Sequence, residues 1–316
     1  MPAAVNAPAA LPFAVEFGRP DTVATAASRG FGLGLDIPVL AGDTREILFP
    51  EAVTRLDDTG LNLVAAGDIV LGCATERVAS ERALAAQAQE LYRRVLESTR
   101  GRHLYRIWNY VPRINALTDG FENYRAFCQG RSLAFEAAAG AGFPQVLPSA
   151  SAVGTNDRSL SVVFVAGSAR PHHFENPEQV PAYRYPAEHG PRPPSFSRAT
   201  VAALPGRTLT FISGTAAIKG HHTVAPGTLD AQLDCTLDNL RLISQAAGLG
   251  ENLGATVAGR RFFKIYLRHP RDLTATRARL EHTVLQPADH AIYLHADICR
   301  AQLNVEIEIS VIARAT

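Results

Sequence analysis

The sequence predicts an α/β protein made of two similar α+β halves packed together. Three observations lead to this fold class: strand-like and helix-like segments alternate, one segment of the chain recurs, and a proline-rich stretch separates the two copies. The chain has 316 residues, 47% of them hydrophobic, which is enough material for two cores. We expect the active site between or beside the halves, because pockets form where domains meet.

Residues 1–170 are the predicted first half, with a leading segment rich in Ala and Pro. The pattern predicts a buried strand over 61–71, a helix over 79–99, a strand over 103–111, a helix over 119–139 and a buried strand over 160–165. Pro112 ends the strand before it, and Gly140 is a typical residue at the end of a helix.

Residues 207–316 are the predicted second half, with elements in the order β-α-β-α-β-β. The expected ranges are 208–213, 228–247, 261–269, 272–283, 291–298 and 303–312. In the first of its helices the apolar residues recur every three to four positions, which is the helical period. Pro270 ends the strand before it.

A proline-rich segment, residues 171–206, lies between the halves. It holds eight of the 20 prolines, a density at which no helix survives. It also carries aromatic and basic side chains that a simple linker does not need, among them Tyr183, Tyr185 and Arg198. Because long ordered loops are commonly functional, we expect this segment to line the site.

An internal repeat supports the two-half interpretation. Residues 101–113 align without gaps on residues 259–271, with five identical positions and similar character at most others. Each copy follows one predicted helix and precedes another. A duplicated α/β unit would create a groove between its copies.

Two strands of the second half have one polar face each. In the last strand this face carries Glu306 and Glu308, and in the strand over 261–269 it carries Lys264, Tyr266 and Arg268. One interpretation is a solvent-exposed face of an antiparallel sheet. The other is the polar floor of a pocket, with a carboxylate held among cations. The pattern alone leaves both open.

Composition limits the remaining possibilities. The formal net charge of +1 argues against a general nucleic-acid binder, and no apolar window is long enough for a membrane span. No secretory signal begins the chain, and its four cysteines form no CxxC pair, so we expect a cytoplasmic protein with reduced thiols. The adjacent histidine pairs at 172–173 and 221–222 lack metal-ligand spacing, so we expect no metal site.

Several motifs resemble known families. Residues 208–316 resemble the RidA/YjgF domain, and residues 60–312 resemble the chorismatases, which place such a domain after a related N-terminal half. The motifs that carry the second resemblance are NYRAFCQGR (123–131), the stretch from PAYRYP to GPRPPSFSRAT (181–200), SGTA (213–216), KIYLRH (264–269) and DICRAQLNVEIE (297–308). Their combination is specific, whereas SGTA or VEIE alone is weak.

The resemblance implies cofactor-independent cleavage of the enolpyruvyl ether of chorismate, releasing pyruvate. It assigns the catalytic acid to Glu306, which would protonate the methylene carbon, and it places Cys299 where the hydroxybenzoate-forming branch carries cysteine. The expected aromatic product is 3-hydroxybenzoate, with 4-hydroxybenzoate as a second possibility. Glu308 would either raise the pKa of Glu306 or face solvent.

Chorismate carries two carboxylates, so a site for it needs cationic or donor-rich groups. The candidates for substrate binding are Tyr124, Arg131, Tyr183, Tyr185, Arg198, Ser213, Gly214, Thr215, Ala216, Lys264 and Arg268. Three rival functions stay open: a hydrolytic chorismatase that forms a diene diol, a RidA-type imine deaminase, and a non-enzymatic binding module. Because one chain would supply both sides of the cleft, we expect a monomer.

Overall fold

The computed structural model describes residues 12–18, 22–24, 32–51, 53–56, 61–78, 83–118 and 120–314. Two large β-sheets pack face to face, and two helices cover the outer face of each sheet. No helix in these ranges combines the length and the apolar character needed to cross a membrane.

Five short strands come first along the chain. They are β1 (Ala14–Phe17), β2 (Thr22–Ala24), β3 (Gly32–Leu35), β4 (Val39–Ala41) and β5 (Arg45–Glu46). Four of them form a small sheet in the order β2-β3-β1-β5. Apolar side chains of β1 and β3, such as Phe17 and Leu33, are buried in the core between the two large sheets. The sequence analysis did not predict these strands, because their Gly- and Ala-rich segments show no clear period.

The first half is a six-stranded sheet with two helices. Its elements are β6 (Thr54–Leu56), β7 (Asn62–Ala66), β8 (Ile69–Arg77), α1 (Leu84–Ser98), β9 (His103–Pro112), β10 (Leu117–Thr118), β11 (Phe121–Glu122), α2 (Asn123–Ala139), β12 (Ser149–Thr155) and β13 (Ser159–Gly167). The strand order is β12-β9-β13-β8-β7-β6, and β10 and β11 form a separate hairpin.

Two predictions for this half were wrong in detail. The expected single strand over 61–71 is the β7–β8 hairpin, because Gly67, at φ 63°, allows a tight turn. The second helix begins at Asn123 rather than 119, since β11 pairs with β10 just before it. Residue 119, and residues 79–82 of the first predicted helix, lie outside the described residues. The strand over 103–111 and the helix end at Gly140 are confirmed.

The second half has a seven-stranded sheet with two helices. Its elements are β14 (His172–Phe174), β15 (Ala199–Leu204), β16 (Arg207–Ala216), β17 (Ile218–Lys219), β18 (His222–Thr223), α3 (Leu229–Ala246), β19 (Gly259–Leu267), α4 (Leu273–Thr283), β20 (His290–His295) and β21 (Val305–Arg314). The strand order is β14-β15-β16-β21-β19-β20-β4, so β4 of the leading segment extends this sheet.

The two halves share one topology, which confirms the predicted fold class of two similar α+β units. The order β7-β8-β13-β9-β12 in the first sheet corresponds to β15-β16-β21-β19-β20 in the second. In each sheet the strands on either side of the second helix are parallel, and the last strand is antiparallel to both of its neighbours. The two repeat segments lie on the equivalent strands β9 and β19.

Residues 171–206 form a long connection without an α-helix, as the proline density predicts. Short turns cover Ala182–Arg184 and Ala187–His189, and the backbone bonds to both halves, for example from Ser197 N to the carbonyl of Pro148. The segment also contains strands β14 and β15, which the sequence analysis missed. The proposed division of the chain at 170 and 206 stays a prediction.

The polar faces of β19 and β21 are buried, so the solvent-exposed interpretation of them was wrong. Glu306, Glu308 and Lys264 each expose 3% of their surface or less. The reason is that this face packs against the sheet of the first half, as the core cluster between the sheets demonstrates. The outer faces pack against α1 and α2 in the first half and against α3 and α4 in the second.

A glycine sets the close packing of α1 against α2. A Cβ added at Gly130 would lie 2.0 Å from the carbonyl oxygen of Ala85. We therefore expect Gly130→Ala to force the helices apart and to lower the free energy of unfolding by about 1–3 kcal/mol in a denaturant titration. Gly142→Ala is the matched control, because a Cβ there meets nothing within 4 Å. Equal stability of the two variants would contradict this account of the helix contact.

Candidate active site

A cavity of about 490 Å³ opens between the halves. Its walls come from α2, the proline-rich segment, β16, the loop before β21, and β21 itself. Four of the predicted substrate-binding side chains line it, namely Tyr124, Arg131, Tyr185 and Arg198. Gly214, Ala216, Cys299 and Glu306 line it as well. The structure thus brings together residues that lie up to 182 positions apart, from Tyr124 to Glu306.

Glu306 is the buried acid of this cavity. It lies on β21 between Ala216 of β16 and Tyr266 of β19, and 3% of its surface is exposed. Its Oε1 has no hydrogen-bond partner among the described residues, and its Oε2 lies 3.9 Å from Sγ of Cys299. The carboxyl group fits only because residue 214 is glycine, where an added Cβ would come within 2.1 Å of Oε1.

Glu308, two positions along the same face, has the opposite environment. Its Oε2 accepts a hydrogen bond of 2.6 Å from Arg106. Its Oε1 accepts one of 2.6 Å from Nε1 of Trp108 and lies 2.9 Å from Nζ of Lys264. Lys264 also bonds to Glu46 at 2.8 Å. The positive groups of this interior are therefore held by Glu308 and Glu46.

These environments separate the two pKa values. Burial, followed by the negative charge of Glu308, raises the pKa of Glu306 to about 8. Burial acts in the same direction on Glu308, but Lys264 and Arg106 outweigh it and hold the pKa of Glu308 below its usual value. At neutral pH Glu306 in the cavity lining is therefore protonated, while Glu308, two positions along the strand, is ionised.

The internal repeat accounts for the two cations that bond to Glu308 and for the presence of the two glutamates in only one half. Arg106 on β9 and Lys264 on β19 are equivalent positions of the repeat, and both reach Glu308. In the strand register, Arg106 on β9 lies opposite Val165 on β13, just as Lys264 on β19 lies opposite Glu308 on β21. Two positions further along these strands, Trp108 lies opposite Val163, and Tyr266 lies opposite Glu306. The first half thus has valines where the second half has its two glutamates.

Two buried arginines face the cavity with unused donors. Arg131 is held over the rings of Tyr92, Phe127 and Phe135 at 5.2, 6.0 and 5.8 Å. Its Nε and Nη2 have no hydrogen-bond partner within the described ranges. Because an unpaired buried guanidinium is costly, these donors are suited to an anion bound in the cavity.

Arg198 is the second of these arginines. Its Nη2 donates to the hydroxyl of Tyr185 at 2.8 Å, and its guanidinium lies 5.0 Å from the ring of Phe196. Its Nε has no partner in the part of the chain that the structure describes. Together with Arg131 it gives the cavity two cationic groups with unused donors.

Five predicted substrate-binding residues lie outside the cavity lining. Ser213 Oγ donates to the carbonyl of Ser197, and Thr215 Oγ1 donates to the carbonyl of Ser213. Lys264 belongs to the Glu308 network, and Arg268 is paired with Asp297. Tyr183 lines a separate groove beside α1 and α2. These side chains support the walls of the site or lie behind them.

Several residues of the cavity were not predicted from the sequence. Arg300 lines it and donates to the carbonyl of His221 at 2.9 Å. Its position directly after Cys299 was a usable signal. Glu188 and His189 also line it, and His189 contacts His221, 32 positions away. No local spacing could have revealed this pairing, because the two histidines meet only through the fold.

Comparison with known proteins gives one family. Residues 48–166 match the N-terminal domain of the FkbO/Hyg5-like chorismatases. A chorismatase of Streptomyces rapamycinicus is 39% identical over 213 residues, which cover 65% of this chain and 63% of the relative. A 3-hydroxybenzoate synthase of Streptomyces hygroscopicus is 38% identical over 65% of this chain and 62% of its own length. The matches thus span less than two thirds of either relative.

A solved structure matches nearly the whole chain. The crystal structure of a chorismatase superposes with a TM-score of 0.81 at 28% sequence identity, covering 98% of this chain and 95% of the other. The arrangement of the two halves is therefore the arrangement found in that protein.

The contrast between the two glutamates can be measured directly. In protein labelled with ¹³C at glutamate carboxyls, we expect one resonance to titrate near pH 8 and to disappear in Glu306→Gln. In Glu308→Gln the titration should move to lower pH, because the variant removes a negative neighbour and releases Arg106 and Lys264.

The same pKa shift affects stability. Between the ordinary pKa of 4.5 and about 8, the folded protein binds a proton at Glu306 that the unfolded chain does not, so the free energy of unfolding falls as pH rises. Gln resembles the protonated acid, so Glu306→Gln should remove this part of the pH dependence and be more stable than the parent above pH 8. An unchanged pH dependence in the variant would contradict the raised pKa.

Proposed function

Because the chain belongs to the FkbO/Hyg5-like chorismatase family, we propose that it cleaves the enolpyruvyl ether of chorismate into pyruvate and 3-hydroxybenzoate. The observation that carries the proposal is a buried Glu306 with a raised pKa in a cavity that also holds two arginines with unused donors. A proton donor and two anion-binding groups are what this dicarboxylate enol ether requires.

Substrate binding is assigned to the cationic side of the cavity. Arg131 and Arg198 would each hold one carboxylate, and the hydroxyls of Tyr124 and Tyr185 lie on the same lining. Arg300 adds a third positive charge. The cavity volume of about 490 Å³ is in the range usual for small-molecule sites.

The first chemical step is proton transfer to carbon. The carboxyl of Glu306 gives its proton to the terminal methylene, which becomes a methyl group, and the adjacent carbon becomes an oxocarbenium ion. The resulting carboxylate stabilises this cation electrostatically. Glu308 is fully occupied by Arg106, Trp108 and Lys264, so Glu306 keeps the proton until substrate arrives.

The second step determines the product. The oxygen of the neighbouring ring hydroxyl attacks the ring carbon that bears the ether, and the hydroxyl proton goes to the carboxylate of Glu306. The bond from that carbon to the ether oxygen breaks, so this oxygen leaves with the side chain as the ketone oxygen of pyruvate. The resulting arene oxide opens and loses a ring proton to give 3-hydroxybenzoate, so no water is consumed. Loss of the side chain with retention of the ring hydroxyl gives 4-hydroxybenzoate instead, which we include as a second product.

Cys299 is placed to influence this choice. Its thiol lies beside the Glu306 carboxyl, and burial keeps the pKa of the thiol raised, so the group is neutral and bulky rather than nucleophilic. A neutral sulfur next to the reacting side chain excludes the water that the hydrolytic reaction needs.

Incubation with chorismate in H₂¹⁸O, with immediate enzymatic reduction of pyruvate to lactate, tests the proposed function. We expect hydroxybenzoate as the ring product and little ¹⁸O in lactate, because the ketone oxygen comes from the ether. A diene diol together with ¹⁸O-labelled lactate would identify the hydrolytic reaction. If chorismate is unchanged, assay with an imine substrate would test the deaminase, and inactivity on both would favour a binding module.

Replacing the acid should abolish turnover. We expect Glu306→Gln to lower kcat by at least about 100-fold while the far-ultraviolet circular dichroism stays that of the parent protein. In the parent, kcat/KM should be level below pH 8 and fall above it, since only the protonated acid is active. Glu97→Gln, an exposed glutamate on α1, is the control. Near-normal activity of Glu306→Gln would remove this residue from the mechanism.

The smaller residue at position 299 should change the product. In Cys299→Ala the space beside Glu306 admits water, so the ratio of diene diol to hydroxybenzoate should rise, as measured by chromatography of the products. Cys235→Ala is a matched control, because Cys235 lies on α3 and does not line the cavity. An unchanged product ratio in Cys299→Ala would discard the role given to this thiol.

A further inference from the structure

A second cluster of titratable side chains lies on the wall of the same cavity, formed by Glu188, His189 and His221. Glu188 and His189 belong to the turn Ala187–His189, and His221 lies between β17 and β18. The mechanism proposed above uses none of the three. Both segments are tied down, since Gly190 N bonds to the carbonyl of Ala187 and Arg300 bonds to the carbonyl of His221.

Three potential ligand atoms of this cluster lie close together. Nε2 of His189 lies 3.0 Å from Nδ1 of His221. Oε1 of Glu188 lies 3.4 Å from the first nitrogen and 3.3 Å from the second. Zinc binds histidine nitrogen and carboxylate oxygen at about 2.0–2.2 Å, so the ligand atoms of a tetrahedral zinc site are about 3.3 Å apart. The three distances agree with the edges of such a tetrahedron.

Hydrogen bonding accounts for this arrangement poorly. Each ring nitrogen carries at most one hydrogen, and that hydrogen can point at one of the two other atoms. The carboxylate oxygen only accepts. With one hydrogen among the three atoms, at least one contact sets two lone pairs against each other. With a hydrogen on each nitrogen, both can point at the carboxylate oxygen, but the 3.0 Å contact between the nitrogens then has no hydrogen bond. A cation at the centre makes all three contacts attractive.

The surroundings favour a transition metal over a hard cation. Arg300 and Arg125 lie near the cluster, and their positive charge opposes an ion held by charge alone. Imidazole nitrogens suit Zn²⁺, whereas Mg²⁺ requires oxygen ligands.

We propose that Glu188, His189 and His221 bind Zn²⁺ as a three-ligand site on the cavity wall. Three protein ligands leave a fourth position for water or for an anion in the cavity. The ring of Tyr185 lies 5.0 Å from that of His189, and its hydroxyl holds Arg198. A bound ion would therefore add positive charge beside the arginines that face the substrate.

The test is direct binding, independent of any catalytic activity. Tag-free full-length protein, freed of metal by a chelator, is titrated with Zn²⁺ by calorimetry and with Co²⁺ by visible absorption. We expect one site, with the intense absorption of tetrahedral Co²⁺. His189→Ala and His221→Ala should each weaken Zn²⁺ binding by at least about 100-fold and abolish the Co²⁺ spectrum.

His222→Ala is the matched control. The centroid of its ring lies 3.8 Å from that of His221, with the two planes tilted by 41°, but the side chain is exposed and outside the cluster, so this variant should keep the affinity of the parent. Glu188→Gln changes an exposed side chain without threatening the fold and should weaken binding about tenfold or more. Absence of binding by the parent, an affinity equal to that of the parent in His189→Ala and His221→Ala, or loss of binding in His222→Ala would each overturn the assignment.

Discussion

The ion pairs of Glu308 at the contact between the two sheets are the interaction on which the rest of the structure depends. Arg106 comes from the first half and Lys264 from the second, and both end on one carboxylate. Breaking a buried pair of this kind leaves an uncompensated charge, which is strongly unfavourable. The same contacts that join the halves also withhold positive charge from Glu306, so assembly of the fold and protonation of the acid have a common cause.

The shared topology of the halves contrasts with their unequal chemistry. Each central strand of the repeat contributes a cation to the interface, while the acids come from β21 alone, because β13 carries Val163 and Val165 at the equivalent positions. Two pairs of glutamates facing one another in a dry interior would repel, and the available cations would not suffice for four carboxylates. One acidic strand against one apolar strand is the arrangement that the interior can tolerate.

The sequence predicted the strands and helices with strong periodicity and the repeat that relates the halves. It also placed Glu306, Cys299, Arg131 and Arg198 in one site, through motif resemblance rather than spacing. It could not decide whether the polar face of β21 is exposed to water. The alternation of polar and apolar residues indicates that a strand has two different faces, but not what covers each face. For the same reason it missed the pairing of Glu188 and His189 with His221, which depends on contacts between distant turns.

Arg131 is held against three aromatic rings before any ligand arrives, and this has a consequence for recognition. Its guanidinium has already lost its hydration and most of its rotational freedom during folding, so the proposed binding of a carboxylate would cost little further entropy. Selectivity among anions would then follow from the fixed orientation of the planar guanidinium relative to a carboxylate. A lysine at position 131 would keep the charge but lose this preorganised direction.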